Sequence, residues 1–287
     1  MDGGEQETKR NEPSSPPPAP PPHVQHLFVM RHGERLDDAD PSWVPRTDRP
    51  WDPPLTERGK QQAWEVGKRL RNEGWGITRV VVSPFLRCVQ TAAEVVTALC
   101  LVDDDDSSHH AAASESSQDA VIDPSKVKVS IDYGLSELMN GKAIRNPPRG
   151  LVDSSTELHW TVPLEELHAL LPTGSLDNSV QPTLSAVPAW GETTSAGHQR
   201  YSDTFQSIAD KFSGENVLCI SHGEGVGVSV MKLLPGVVVY GVRYCAYTQA
   251  QRTIHSHSRI DGLRAGDWEL LTEPGPASGL LYDTFTD

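Results

Sequence analysis

The segment LFVMRHGER, residues 27–35, passes abruptly from four apolar residues to a polar motif that contains two arginines. A short continuous apolar run is typical of a strand that is buried on both faces of a sheet. Two other segments repeat the arrangement. VVVSPFLR at 80–87 and VLCISHGE at 217–224 also lead from an apolar run into a polar motif. The sequence therefore predicts three buried strands, each ending at a polar loop.

Segments with helical periodicity alternate with these strands. Thr56 is a suitable N-cap for the first helix. Alternation of strands and helices predicts an α/β fold, a three-layer αβα sandwich with a largely parallel central sheet. Residues 127–133 alternate between apolar and polar and predict a more exposed strand, and 237–249 and 267–272 are candidates for further strands. The helical stripes are Ala63, Val66, Gly67 and Leu70; Leu86, Val89, Ala93, Val96 and Cys100; Tyr201, Phe205, Ile208 and Phe212; and Val226, Val230 and Leu233.

Composition limits the classes of partner and compartment. The chain has 287 residues and a formal net charge of −14, which disfavours nucleic acid as a partner. No apolar run approaches the roughly 20 residues that cross a bilayer, and MDGGEQETKR at the start lacks the apolar core of a signal peptide, so we expect no membrane partner. The four cysteines are isolated and predict reduced thiols in the cytoplasm or the nucleus. No feature of the sequence predicts an oligomeric state.

Two segments are predicted to be disordered. Residues 1–25 form a proline-rich tail, in which 16–22 is a weak candidate for binding an SH3-like or WW-like module. Residues 101–125 form an acidic loop insertion within one domain that spans 26–287. Aspartates 103–106 lie beside two histidines, but a flexible loop rarely holds a metal, so no metal site is predicted.

The predicted strand ends carry two histidines and three arginines. Ligands of an open α/β sheet bind where the carboxyl ends of the strands meet the loops, so these side chains are predicted to share one crevice. Arginine donates two parallel hydrogen bonds to paired oxygens, which favours a phosphoryl ligand. Neighbouring cations should lower the histidine pKa values and leave the imidazoles neutral. The residues are Arg31, His32, Arg35, Arg87 and His222.

Glycines and helix starts flank the predicted crevice. Gly33 and Gly223 directly follow the two histidines and are predicted to let the backbone approach a ligand closely. Helices that begin near Pro84 and Gly223 are predicted to point their first amide groups at the anion.

Together these motifs resemble the histidine phosphatase superfamily, which includes the phosphoglycerate mutases. RHGER at 31–35 resembles its signature, SPFLRCVQTA at 83–92 its arginine segment and SHGEG at 221–225 its second histidine segment. The resemblance runs from about residue 26 to 230 and implies a phosphoglycerate mutase-like fold. Further similar segments are LTERGKQQA at 55–63, LSE at 135–137 and GET at 191–193.

The resemblance implies a metal-independent phosphatase that needs no cofactor. It implies His32 as the nucleophile that forms a phosphohistidine, and His222 as a group that stabilises the transferring phosphoryl. Glu137 is implied as the acid that protonates the leaving oxygen and later as the base that activates water. The residues alone do not distinguish which histidine attacks. The phosphoryl oxygens are implied to bind Arg31, Arg35 and Arg87.

Departures from the family pattern favour a phosphatase over a mutase. Mutases usually have a small hydroxyl residue and an asparagine where this chain has Arg35 and Asp38. The acid phosphatase branch has aspartate where Gly223 follows His222. RHGER followed by Asp37 is most similar to the ubiquitin-associated and SH3-containing protein tyrosine phosphatases and to plant phosphoglycerate mutase-like proteins. The implied substrate is a phosphorylated small molecule or a phosphoprotein, and the alternatives are mutase-type phosphoryl transfer and a non-catalytic phospho-ligand-binding module.

Residues at about 140–195 lie where the family carries a substrate-covering insertion. Its cations are candidates for substrate contacts, although solvated surface groups are the commoner case. Tryptophans in this segment are predicted to pack in the core. A pair of histidines near the C-terminus is predicted to be ordinary surface residues. These residues are Lys142, Arg145 and Arg149; Trp160 and Trp190; and His255 and His257.

Overall fold

The computed structural model describes residues 21–102, 116–147, 160–258 and 262–284. None of the described helices is long and apolar enough to cross a bilayer. Short 3-10 helices cover Pro41–Arg46, Pro124–Lys126 and Tyr133–Leu135. In chain order the other elements are β1 (His23–Arg31), α1 (Leu36–Ala39), α2 (Glu57–Asn72), β2 (Ile77–Val82), α3 (Leu86–Leu99), β3 (Lys128–Ile131), α4 (Leu164–His168), α5 (Thr194–Lys211), β4 (Asn216–Ser221), α6 (Gly223–Leu233), β5 (Val237–Val242), β6 (Tyr247–Ser258), β7 (Gly262–Ala265), β8 (Glu269–Leu270) and β9 (Leu280–Thr284).

Seven strands in the described part of the chain form one sheet in the order β3-β2-β4-β1-β6-β7, with β8 paired to β6. The first four are mutually parallel, and β6 is antiparallel to β1. β5 and β9 form a separate antiparallel pair. The prediction of a largely parallel sheet is confirmed. Because β4 lies between β1 and β2, the three predicted buried strands are immediate neighbours.

Helices cover both faces of this sheet. Phe28 and Met30 of β1 pack in a core with apolar residues of α2 and α3. Leu27 and Val29 point to the other face, into a second core with residues of α5 and α6. Successive residues of a strand face opposite sides, so a strand between two helical layers needs apolar residues throughout. The continuous apolar runs thus reflect a three-layer αβα sandwich, as predicted.

The predicted limits of the two disordered segments need correction. β1 begins at His23, inside the predicted tail of residues 1–25, and the buried Gln25 donates to the carbonyls of Ala209 and Phe212. In the predicted loop 101–125, Leu101 pairs with Ile122, and a 3-10 helix begins at Pro124. Short-range composition did not reveal these long-range partners. The remaining predictions for residues 1–20 and 103–115 lie outside the described residues.

The strand predicted over residues 127–133 is shorter and less exposed than expected. β3 ends at Ile131, and Val129 and Ser130 are both buried. The amide of Val129 donates to the carbonyl of Ser175 at 2.9 Å, and the amide of Asp177 donates to the carbonyl of Val129 at 2.7 Å. The predicted insertion therefore covers the edge of the sheet and satisfies its backbone groups, as edge strands require.

Two glycines allow the start of α2 to meet the loop after β1. A Cβ atom on Gly33 would lie 2.4 Å from the carbonyl oxygen of Gly59, and one on Gly59 would lie 2.4 Å from that of Glu34. Gly223 has only ordinary contacts, the nearest being the side chain of Arg31 at 3.5 Å. Gly33 therefore serves close contact between two backbones of the chain itself.

Replacing Gly33 with alanine should lower the free energy of unfolding by about 3 kcal/mol or more, because the clash is with backbone that cannot rotate away. Urea denaturation followed by circular dichroism measures the change. Gly141 provides the control, because a Cβ there meets no atom within 4 Å. Gly141→Ala should alter stability by less than about 0.5 kcal/mol. Equal stability of the two variants would contradict the contact between the backbones.

Candidate active site

His32 follows β1 directly, and hydrogen bonds of its backbone groups fix its position. Its amide donates to the carbonyl of Ser221 at 3.1 Å, and its carbonyl accepts from the amide of Cys245 at 3.2 Å. The ring Nδ1 lies 2.8 Å from the carbonyl oxygen of Gly33. A carbonyl can only accept, so Nδ1 carries the hydrogen and Nε2 keeps its lone pair. The side chain is 1% exposed and thus has one defined orientation.

His222 faces His32 from the end of the neighbouring strand β4. The two ring centroids are 5.6 Å apart, with an interplanar angle of 69°. Nε2 of His222 lies 2.9 Å from the hydroxyl oxygen of Ser83, which follows β2. The edge of the ring packs against Phe85. Three adjacent strand ends therefore meet at the two imidazoles.

Arg87 and Glu137 complete the cluster around His222. Arg87 lies in the first turn of α3, and its Nη2 is 3.1 Å from Nδ1 of His222 and 3.5 Å from Oε2 of Glu137. Oε2 of Glu137 is also 3.3 Å from Nδ1 of His222. Both Arg87 and Glu137 are buried. The structure brings together four of the six predicted residues, His32, His222, Arg87 and Glu137.

The other two predicted arginines border the same cluster and have partners of their own. Arg31 donates from Nη1 to the carbonyl of Val242, and its guanidinium carbon is 4.2 Å from the centre of the Tyr244 ring. Its buried Nε has no hydrogen-bond partner. Arg35 donates from Nε to a carboxylate oxygen of Asp37 at 2.9 Å and lines a small cavity together with Arg87. Arg35 is thus close to Arg87, with its charge already balanced by Asp37.

Burial and the cations set the protonation states. Burial, Arg87 and Arg31 lower the pKa of His32 well below its ordinary value. Burial lowers the pKa of His222 to about 4, assisted by Arg87 and opposed by Glu137. Burial alone would raise the pKa of Glu137, but His222 and Arg87 hold it at about 2. At neutral pH the empty site therefore has two neutral histidines and an ionised glutamate, as the sequence predicted for the histidines.

A second layer of side chains holds the loop of Glu137. Arg200 of α5 donates to the carbonyl oxygens of Gly134 and Ser136 at 2.7 and 2.9 Å, and its Nε donates to Glu192 at 2.7 Å. The hydroxyl of Tyr201 donates to Ser136 at 2.6 Å. Glu192 of the GET segment at 191–193 therefore helps to hold the loop of Glu137 in place through its contact with Arg200.

Sequence reasoning missed several residues that surround the site. Asp52 is buried, and its carboxylate accepts from the amide of Leu86 and from Arg87. That amide belongs to the first turn of α3, so the prediction that it points at an anion is wrong: a carboxylate of the chain already occupies it. Asp52 precedes two prolines in WDPP, a turn signal without any chemical signature. Ser83 and Tyr244 were also missed.

Among the other candidate residues, Arg145 lines the same small cavity as Arg35 and Arg87, and it donates to Asp38 at 3.1 Å. Lys142 is exposed. The rings of Trp160 and Trp190 stack with their centroids 5.2 Å apart, and Trp51 lies next to Trp160. All three pack against the hydrophobic core, in agreement with the prediction for Trp160 and Trp190. His255 is exposed on β6. Arg149, Asp103–Asp106, His109 and His110 lie outside the described residues. In the part that the structure describes, no group of three or more His, Cys, Asp or Glu side chains is placed to hold a metal ion.

The fold and the site define an α/β protein with the phosphoglycerate mutase-like histidine phosphatase fold. The ecdysone phosphate phosphatase of Bombyx mori, solved in complex with tungstate, superposes with a TM-score of 0.58 and 24% identity, covering 88% of this chain and 93% of that one. Residues 27–106 match the sequence model of the histidine phosphatase superfamily (branch 1). The resemblance inferred from the motifs is thereby confirmed.

Characterised relatives match over very different lengths. The ecdysteroid-phosphate phosphatase of Drosophila melanogaster is 23% identical over 280 residues, which are 85% of this chain and 31% of that protein. The mitochondrial serine/threonine-protein phosphatase Pgam5 of Drosophila persimilis is 40% identical over 72 residues, 25% of this chain and 22% of that protein. The chain therefore spans about a third of the length of the first relative, and its match to the second covers less than a quarter of that protein.

Proposed function

We propose that this chain is a phosphatase that hydrolyses a phosphomonoester through a phosphohistidine intermediate on His32. The observation that carries the proposal is the fixed ring of His32. Its Nδ1 is bound to the Gly33 carbonyl, and its Nε2 lone pair is free in a buried cluster that holds Arg87 and His222. A neutral, oriented imidazole next to guanidinium groups is equipped to attack an anionic phosphoryl group.

In the first step, Nε2 of His32 attacks phosphorus, and the bond from phosphorus to the ester oxygen breaks. Arg31, Arg35 and Arg87 stabilise the charge on the phosphoryl oxygens. Glu137 donates a proton to the departing oxygen. Because Glu137 is ionised in the empty site, it relays a proton that the substrate brings: a phosphomonoester that binds as the monoanion carries this proton, since its second pKa is about 6. The departing oxygen drives the transfer through Glu137, because that oxygen becomes strongly basic as its bond to phosphorus breaks.

In the second step, Glu137 accepts a proton from water, whose oxygen attacks phosphorus as the bond to Nε2 breaks. Inorganic phosphate leaves with the proton that Glu137 took from water, so Glu137 is ionised again and His32 regains its lone pair. Neutral His222 donates from Nε2 to the hydroxyl of Ser83 and accepts at Nδ1 from Arg87, and so keeps that arginine in place through both steps. The same carboxyl acts as the acid in the first step and as the base in the second.

The substrate that we propose is a phosphorylated small molecule or a phosphoprotein. Support comes from the relatives whose names specify ecdysteroid phosphates.

The remaining proposals concern the compartment, the domain organisation and a candidate binding partner of this protein. Residence in the cytoplasm or nucleus is supported by four cysteines that are free and buried. A single domain that begins with β1 at His23 is supported by the seven-stranded sheet, whose strands come from β1 to β8. Binding of residues 16–22 to an SH3-like or WW-like module stays a prediction, because residues 16–20 lie outside the described residues.

The experiment that tests the function separates hydrolysis from mutase transfer. Purified chain is incubated with p-nitrophenyl phosphate, and separately with 3-phosphoglycerate and its bisphosphate primer. We expect free phosphate in amounts equal to the p-nitrophenol released. Formation of 2-phosphoglycerate without free phosphate would instead establish a mutase. Oxyanion binding without turnover of any phosphomonoester would favour a non-catalytic module.

A further inference from the structure

Asp52 has no role in the chemistry above, yet its carboxylate is among the most deeply buried in the described part of the chain. The residue is 2% exposed. Oδ1 and Oδ2 lie 2.9 and 3.2 Å from the amide nitrogen of Leu86, and Oδ1 lies 3.4 Å from Nη1 of Arg87. One carboxylate therefore contacts both the backbone and the side chain at the start of α3.

Asp52 caps the N-terminus of α3, because the residue at the N-cap position cannot do so. Phe85 occupies the N-cap position and provides no side-chain hydrogen bond. A first-turn amide without a partner is costly when buried, and a carboxylate there is also favoured by the helix dipole. Asp52 thus fixes the turn of helix from which the Arg87 side chain projects.

The segment of Asp52 is anchored to the rest of the site. The Asp52 amide donates to the carbonyl of Arg49 at 3.1 Å, and the indole of Trp51 donates to the carbonyl of Trp160 at 2.9 Å. Three residues further on, Leu55 forms a β-bridge with Arg35. The same short segment therefore holds two of the three arginines proposed to bind the phosphoryl group.

The two terminal nitrogens of Arg87 contact different partners. Nη1 contacts Asp52, whereas Nη2 contacts His222 and Glu137. Nε of Arg87 is buried and has no partner. Asp52 thereby limits rotation of the guanidinium, and its negative charge adjoins the arginine that is proposed to bind the phosphoryl oxygens.

A negative charge at that position opposes the binding of an oxyanion. Arg87 from α3, Arg35 from the loop after β1 and Arg49 on the same segment are the charged groups that act on Asp52. Burial raises the pKa of Asp52 to about 7 in spite of these cations. The thiol of Cys88 is neutral at this pH, because burial raises its pKa to about 12.

We propose that Asp52 is a positioning residue that orients Arg87 for the oxyanion and takes up a proton when the oxyanion binds. The inference rests on the proposed function, because both use the same anion site. Protonated Asp52 still accepts from the Leu86 amide, so the orientation survives while the repulsion is removed. A carboxyl that acted only as a structural cap would not link oxyanion affinity to pH.

The test measures the affinity for tungstate between pH 6 and 9 by titration calorimetry. Tungstate is a dianion throughout this range and brings no proton to Glu137, whose pKa of about 2 keeps it ionised, and burial together with the cations keeps His32 and His222 neutral. The affinity of the wild type should fall above pH 7 by up to about tenfold per pH unit, because binding must then take up a proton. Asp52→Asn should bind like the wild type at pH 6 and show little change up to pH 9.

A second variant separates orientation from charge. Asp52→Ala removes the acceptor for the Leu86 amide and the contact with Arg87, so at every pH it should bind tungstate about tenfold more weakly than Asp52→Asn does. Asp177→Asn is the matched control. Asp177 pairs with Arg79 near the start of β2, away from the strand ends that form the site, and its loss should leave the wild-type pH profile unchanged.

Two results would overturn the inference. One is a wild-type pH profile in Asp52→Asn, and the other is a folded Asp52→Ala that binds tungstate as tightly as Asp52→Asn does. If Asp52→Ala does not fold, the profile of Asp52→Asn still decides. Failure of the wild type to bind tungstate would remove the anion site and the inference with it. Failure of turnover alone would refute the proposed phosphatase while leaving the tungstate result for Asp52 intact.

Discussion

Replacing His32 with alanine is expected to lower kcat/KM for p-nitrophenyl phosphate by about 10⁴-fold or more, because the variant loses the oriented nitrogen that attacks phosphorus. Wild-type protein mixed with a labelled phosphomonoester and quenched in alkali should retain label on the chain. The alkaline quench is needed because phosphohistidine hydrolyses in acid. The variant should retain none.

His255→Ala is the matched control for the nucleophile. His255 is exposed on β6, far along the chain from the strand ends, and its loss should change the rate less than about twofold. Label that persists on His32→Ala would show that another residue attacks. His222 would then be the first to replace, since its ring lies 5.6 Å from that of His32.

Replacing Glu137 with glutamine is expected to slow the hydrolysis of alkyl phosphates by about 10² to 10⁴-fold. Glutamine keeps the size of the side chain but can neither donate nor accept the proton in transfer. p-Nitrophenolate leaves without protonation, so the first step on that substrate should stay fast while the second becomes slow. Rapid mixing should therefore show a burst of p-nitrophenol equal to the number of sites, followed by slow turnover.

Glu224→Gln controls for the loss of a glutamate near the site. Glu224 follows Gly223 in SHGEG but pairs with His198 at 2.5 Å, away from His222. Its replacement should change both rates by less than about threefold. Equal losses on alkyl and p-nitrophenyl substrates in Glu137→Gln, without a burst, would contradict the role of Glu137 as acid and base.

Prediction from the sequence was most successful where burial is complete. The apolar run at residues 27–30 predicted a doubly covered strand, and β1 lies between β4 and β6 with helices above and below. Thr56 was predicted to cap α2, and its hydroxyl accepts from the amide of Gly59 at 2.9 Å. Both features depend on neighbours in sequence or on a single periodic pattern, which is why a sequence shows them.

Prediction failed where the deciding contact comes from far along the chain. Gln25 was assigned to a tail, but its amide reaches carbonyls of Ala209 and Phe212. Val129 was expected in an exposed strand, but Ser175 covers the edge. The first amide of α3 was expected to meet a ligand and instead meets Asp52. Each partner is more than 30 residues away, and no local composition records it.

The sequence by itself determined the chemical groups that stand at the strand ends, because periodicity locates the ends and the motifs name the side chains. Only the tertiary structure decided that β4 enters between β1 and β2, so that His222 meets both His32 and Ser83. It also decided the charge states. Protonation of His32, Glu137 and Asp52 follows from burial and from cations contributed by other elements, and both quantities exist only once the chain has folded.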